Sequence, residues 1–204
     1  IPIGKYARWF HNFFFVAGVS GNPSRLYFSD LNLPETWTGS SYIDVNADDG
    51  EVITGLHILK DELIIFKNSR IWSLTGFGVS AFTLADLNER MTGFGTISHR
   101  SVINTGDDLL FLSYNGQVAH VRSLQRTRFG TLVSGGVISD AITGTMEGLS
   151  TGQLNKAAAI FDGRKGWFAV PDGSSTYSDL VLVYDTVLKA WTRHTGINAA
   201  VWLQ

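Results

Sequence analysis

A chain of 204 residues that is 44% hydrophobic and 17% charged carries enough apolar material for a sizeable core, which excludes wholesale disorder. Its 16 basic and 18 acidic side chains leave a formal charge of −2, which excludes a dedicated nucleic-acid binder, so any such contact must be local. The absence of Cys excludes a disulfide framework and thiolate metal sites, and no apolar run approaches the ~20 residues needed to span a bilayer.

The 22 glycines and 12% aromatic content favour turns and strands over helices. The dominant pattern is a repeated phrase of apolar strand, polar turn, second apolar strand and aromatic-bearing third. Its first unit covers about Gly4 to Gly50. Trp9, Phe13, Phe14, Phe15 and Val16 form an aromatic strand pair across His11-Asn12, Arg25–Asp30 is a strand, and Leu33–Trp37 is a bent segment ending on an anchoring Trp. Ile43 and Val45 close the unit.

The second unit, about Val52 to Met91, has strands Ile53–Leu59, Leu63–Lys67, Ile71–Leu74 and Phe82–Leu87. The third, about Ile97 to Leu132, has strands Ser101–Asn104, Leu109–Ser113 and Gln117–Arg122. Asn115-Gly116 is a hairpin signal, because both residues tolerate positive φ. Gly135–Asn155 breaks the rhythm and reads as an irregular insertion, with one helical turn at Ser139–Ile142 capped by Ser139. The fourth unit, about Lys156 to Gly196, ends in Lys189–Arg193, and Asn198–Leu203 starts another strand. The chain thus reads as a piece of something longer.

One hairpin cannot bury its own apolar face, so units of this kind stack. Lengths of about 40–50 residues with four strands each match a β-propeller blade better than a sandwich. The expected fold is all-β: one propeller-like array of four to five four-stranded blades, incomplete, with one insertion.

Several motifs have plain structural readings. Gly76–Ala81 fits the dinucleotide pattern G-x-G-x-x-A, but a strand follows where a phosphate-binding helix should start. Gly148–Gly152 fits the nucleophile-elbow pattern without the preceding strand. Asp44–Gly50 resembles the start of a calcium loop, with Gly one place late and Gly55 where a Glu belongs. A carboxylate-rich turn joining two blades is the better reading, and a weak calcium site is the alternative. The five His have no metal-ligand spacing, and His57 reads as a packed strand residue. The paired acids sit in turns, which does not indicate glycosidase chemistry. The sequence points to no catalytic residue, metal or cofactor.

One cluster is denser in cations. His120, Arg122, Arg126 and Arg128 lie close together, with Gln125 and Thr127 between the last three, and could hold a phosphate backbone without reading its sequence. The competing reading is a solvated hairpin edge that repels other strands.

Gly21-Asn22-Pro23-Ser24-Arg25-Leu26-Tyr27-Phe28-Ser29-Asp30 and Leu33–Trp37 lead into Tyr42–Val45, Asp49-Gly50, Ile53–Leu56, Leu63–Lys67 and Ile71–Leu74. Together these resemble the β-propeller region of tailed-bacteriophage virion proteins, particularly head-to-tail connector and tail-nozzle proteins. The match spans about residues 7–125. The resemblance implies a non-enzymatic virion protein of the tail or neck, assembled in the host cytoplasm. Its implied partners are copies of itself in a ring around the DNA exit channel, other tail or connector proteins, and transiently the phage DNA. The alternatives are a host-surface or carbohydrate-binding propeller, with Trp37 and Tyr177 stacking on sugars, and a propeller glycoside hydrolase.

Overall fold

The computed structural model describes residues 1–76, 82–83, 86–122, 126–127, 130–131 and 135–199. They form two compact units, Ile1–Gly95 and Thr96–Gln204. Each unit contains two four-stranded antiparallel sheets.

In the first unit, sheet I runs β1 (Tyr6–Phe10), β2 (Phe13–Ala17), β3 (Arg25–Phe28) and β4 (Tyr42–Asp44), in that spatial order. The β1–β2 hairpin turns on His11 and Asn12, whose φ angles of 44° and 66° suit the twist of a tight hairpin. Sheet II runs β5 (Ile53–Leu59), β6 (Glu62–Lys67), β7 (Arg70–Leu74) and β8 (Leu87–Thr92). Every residue of β6 is buried, as a central strand packed on both faces requires.

The fourth strand of sheet II differs from the expected Phe82–Leu87. Phe82 is drawn into the core, with ring centroids 5.1 Å from Phe13, 5.3 Å from Phe15 and 6.0 Å from Phe28. Phe82 and Thr83 lie in no strand. The polar Asn88–Thr92 segment pairs with β7 instead, as an outer strand facing water can.

In the second unit, sheet III is built from β9 (Ile103–Asn104), β10 (Asp108–Leu112), β11 (Val118–Arg122) and, after the small hairpin β12 (Arg126–Thr127) and β13 (Gly130–Thr131), β14 (Gly135–Val137). At the β10–β11 turn only Gly116 takes positive φ, at 82°, while Asn115 accepts the Gln117 N–H through its side chain. Sheet IV runs β15 (Ala158–Phe161), β16 (Lys165–Val170), β17 (Leu180–Asp185) and β18 (Ala190–Thr195).

The segment expected to be an irregular insertion is structured. It supplies β14, a 3-10 turn at Asp140–Ile142, the short helix α1 (Thr143–Glu147) and a 3-10 helix at Thr151–Lys156. Met146, Leu149 and Leu154 from it join the core formed by Leu110, Leu112, Phe168, Val170, Leu180 and Leu182. Ser139 does not cap the turn: its hydroxyl accepts the Val118 N–H at 3.1 Å, tying the segment to β11. Of Asn198–Leu203, residues 200–203 lie outside the described residues.

Candidate functional site

The motifs set aside above have visible structural roles where they are described. Only Gly76 of the dinucleotide pattern is described, at φ 113°; residues 77–81 lie outside the described residues. Gly148–Gly152 follows α1 and enters a 3-10 helix, with Ser150 N–H bonded to Pro171 O, so it has no elbow geometry. His57 lies on β5 with its ring edge-on to Phe66.

The calcium-like turn is organised by a lysine. Lys67, fully buried, donates from Nζ to Val45 O at 2.8 Å, Asn46 O at 3.1 Å and the Asp49 carboxylate at 2.6 and 2.7 Å. Two carbonyls and a carboxylate around one ammonium are the oxygen set a hard cation would otherwise need. Burial alone would raise the Asp49 pKa, but hydrogen bonds from Lys67 and the Glu51 N–H more than offset it and hold the pKa below its ordinary value. Asp44 is occupied separately, in a bidentate pair with Arg25 at 2.8 and 3.2 Å. Among the described residues, no group of three or more acids or histidines is placed to hold a metal.

Of the cationic cluster, the structure brings His120 and Arg122 together on β11. Arg126 lies in β12, and Arg128 is outside the described residues. Asp108, opposite Arg122 on β10, takes both guanidinium hydrogen bonds, at 2.7 and 2.9 Å, and raises the Arg122 pKa further. The arginine offered to a phosphate backbone is therefore already neutralised.

His120 and Arg122 line a polar cavity of about 470 Å³ within the second unit. The β9–β10 turn brings Asp107 to it, β10 brings Asp108, β17 brings Tyr184, and the β17–β18 turn brings Lys189. Phe161 gives it an apolar wall. The sequence cluster pointed to this place only in part. Asp108, Tyr184 and Lys189 come from other strands, and only the register of β10 against β11 and of sheet IV joins them. The sugar-stacking candidates separate: Trp37 donates Nε1–H to Pro34 O at 2.9 Å and sets its ring edge-on to Phe14, whereas Tyr177 is 55% exposed.

No protein-family model and no curated protein matches the chain. Solved structures do. The N-terminal domain of Nup159 aligns with 93% of this chain at 11% identity and a TM-score of 0.51. Kluyveromyces lactis Hsv2 aligns with 98% of it at 10% identity and 0.49, and human WBSCR16 with 90% at 10% identity and 0.47. The chain spans 46%, 62% and 48% of those structures respectively. At such identities the likeness concerns fold alone. With its four antiparallel four-stranded sheets, the fold is all-β and propeller-like.

Proposed function

We propose that this chain is a non-enzymatic structural protein of a tailed-bacteriophage virion, the propeller part of a tail-nozzle or connector ring around the DNA exit channel. The observation that carries the reading is where the resembling residues sit. Among them, the Arg25–Asp44 pair ties β3 to β4 within sheet I, and Lys67 locks β6 of sheet II onto Val45, Asn46 and Asp49 in the turn that leaves sheet I. A likeness carried by strands, their turns and the Lys67 joint is a likeness of scaffold.

Charge supports the same reading. A genome must pass such a channel without being held, and tight salt-dependent binding follows from unpaired cations facing phosphates. Here Arg25, Lys67, Arg90, Arg122 and Arg164 are each paired with a carboxylate of the same chain.

The test is immunogold labelling of intact phage particles with antibody against the purified chain, combined with the mass of the purified assembly by analytical ultracentrifugation. Label at the tail or neck and a ring-sized mass are expected. A monomer that labels no particle would overturn the proposal.

A further inference from the structure

The cavity in the second unit holds donors that the protein itself does not use. Lys189 sits at φ 55° in the β17–β18 turn, its N–H bonded to Asp185 O at 2.9 Å. Among the described residues its ammonium has no carboxylate within ion-pair reach; the Tyr184 ring lies 5.9 Å from Nζ. The Tyr184 hydroxyl also has no hydrogen-bond partner among the described residues. His120 Nδ1 is buried and 3.7 Å from the nearer Asp108 oxygen, too far for a hydrogen bond. Asp108 is meanwhile satisfied by Arg122.

We propose that this cavity is a binding site for a ligand carboxylate, which Lys189 pairs with and Tyr184 and His120 hydrogen-bond, while Phe161 packs against the ligand's carbon skeleton. The Asp108–Arg122 pair works as a neutral floor. It cancels its own charge, so the remaining formal charges of the lining are Lys189 and Asp107, and the guest carboxylate belongs on the Lys189 side of the cavity.

The site is coupled to pH. The groups facing His120 are Asp108 from β10, Arg122 on its own strand, Lys189 from the β17–β18 turn and, across the cavity, Asp107 and Tyr184. Burial pushes the His120 pKa down, Asp108 opposes this, and Arg122 and Lys189 add to it. A guest carboxylate favours the imidazolium, so binding strengthens as pH falls from neutrality.

Carboxylates of this kind come from acidic sugars or acidic peptide side chains. The experiment titrates the purified chain with sodium glucuronate, N-acetyl-glutamic acid amide, the neutral controls glucose and N-acetyl-glutamine amide, and inorganic phosphate. It follows the His120 and Tyr184 ring resonances by NMR. At least one carboxylate should shift both rings saturably, bind roughly threefold or more tighter at pH 5.5 than at 7.5, and leave the neutral controls silent. K189Q should weaken it by about tenfold, the worth of one charge-assisted contact. Y184F, which keeps the packed ring, should weaken it by less. Glucuronate alone binding identifies the sugar source, and the glutamate amide alone the peptide source. The proposal is overturned if neither carboxylate shifts these rings, if phosphate alone does so, or if folded K189Q binds as well as the native chain.

Discussion

Lys67 Nζ and the Asp49 carboxylate meet at 2.6 and 2.7 Å, with the lysine side chain fully buried and that of Asp49 7% exposed. The pair ties the middle of sheet II to the turn that leaves sheet I. An ammonium in such a place is tolerated only because its hydrogen bonds are met by oxygen.

Removing the lysine strands a buried carboxylate and two carbonyls. K67M is expected to lose about 3–5 kcal/mol of stability, the usual cost of breaking a buried pair from one side. The double variant K67M/D49N should recover part of it. Urea melts of the native chain and both variants provide the check, and a double variant less stable than K67M would contradict the account.

Asp162 gives a pH signature. It accepts the Lys165 N–H at 2.6 Å, the Trp167 Nε1–H at 2.9 Å and the Arg164 N–H at 2.9 Å, and these hold its pKa at about 2 against an ordinary 3.8. A carboxyl group with a lowered folded pKa stabilises above its unfolded value and loses that stabilisation as pH falls through the folded one. D162A should therefore be less stable than the native chain at pH 6, by about 1 kcal/mol given its exposure to screening water. The gap should close between pH 4 and pH 2 in parallel denaturation curves.

Gly95 and Phe82 report on packing in the first unit, with Gly152 of the second as a control. A Cβ at Gly95 would run into the Lys67 and Asn68 carbonyl oxygens, which cannot swing away as a side chain can, whereas at Gly152 it would meet nothing within 4 Å. G95A is expected to cost about 1–3 kcal/mol, the range for overpacking, and G152A to be near neutral by thermal melting. F82A, emptying the space among Phe13, Phe15 and Phe28, should cost about 3–5 kcal/mol.

The Asp108–Arg122 pair is expected to keep the guanidinium from phosphate. D108N would release the guanidinium, and anisotropy titrations with single-stranded DNA should show tighter binding with a salt slope steeper by about one. R122A should bind DNA as the native chain does. A marked loss in R122A would mean that Arg122 reaches phosphate despite its partner.

The sheets were legible in the sequence because alternation and short polar turns are local signals: β5, β6, β7, β10 and β11 fall within a residue or two of their expected bounds. The polar outer strand β8 was hidden because its ladder needs no apolar pattern, and Phe82 next to it advertised a strand while serving the core. The Gly-rich stretch after residue 135 concealed buried Met146, Leu149 and Leu154, whose spacing fits no regular element. The cavity was only half visible. His120 and Arg122 alternate on one strand, but Tyr184 and Lys189 lie more than sixty residues on, and Asp108 becomes their neighbour only through register.

The segment that carries Met146, Leu149 and Leu154 has a consequence for the order in which the protein is made. Sheet III gains β14 only once residue 137 is available, and its core residues Leu110, Leu112 and Val118 pack with Met146, Leu149 and Leu154 and with strands of sheet IV. Ser98 fastens the start of that sheet to the Ala157 carbonyl at 2.5 Å. A nascent chain halted before residue 157 would carry an unfinished, sticky third sheet, a target for chaperones and proteases. Sheets III and IV should therefore mature as one cooperative step late in synthesis, while the first ninety-five residues, with their own core, fold ahead of them.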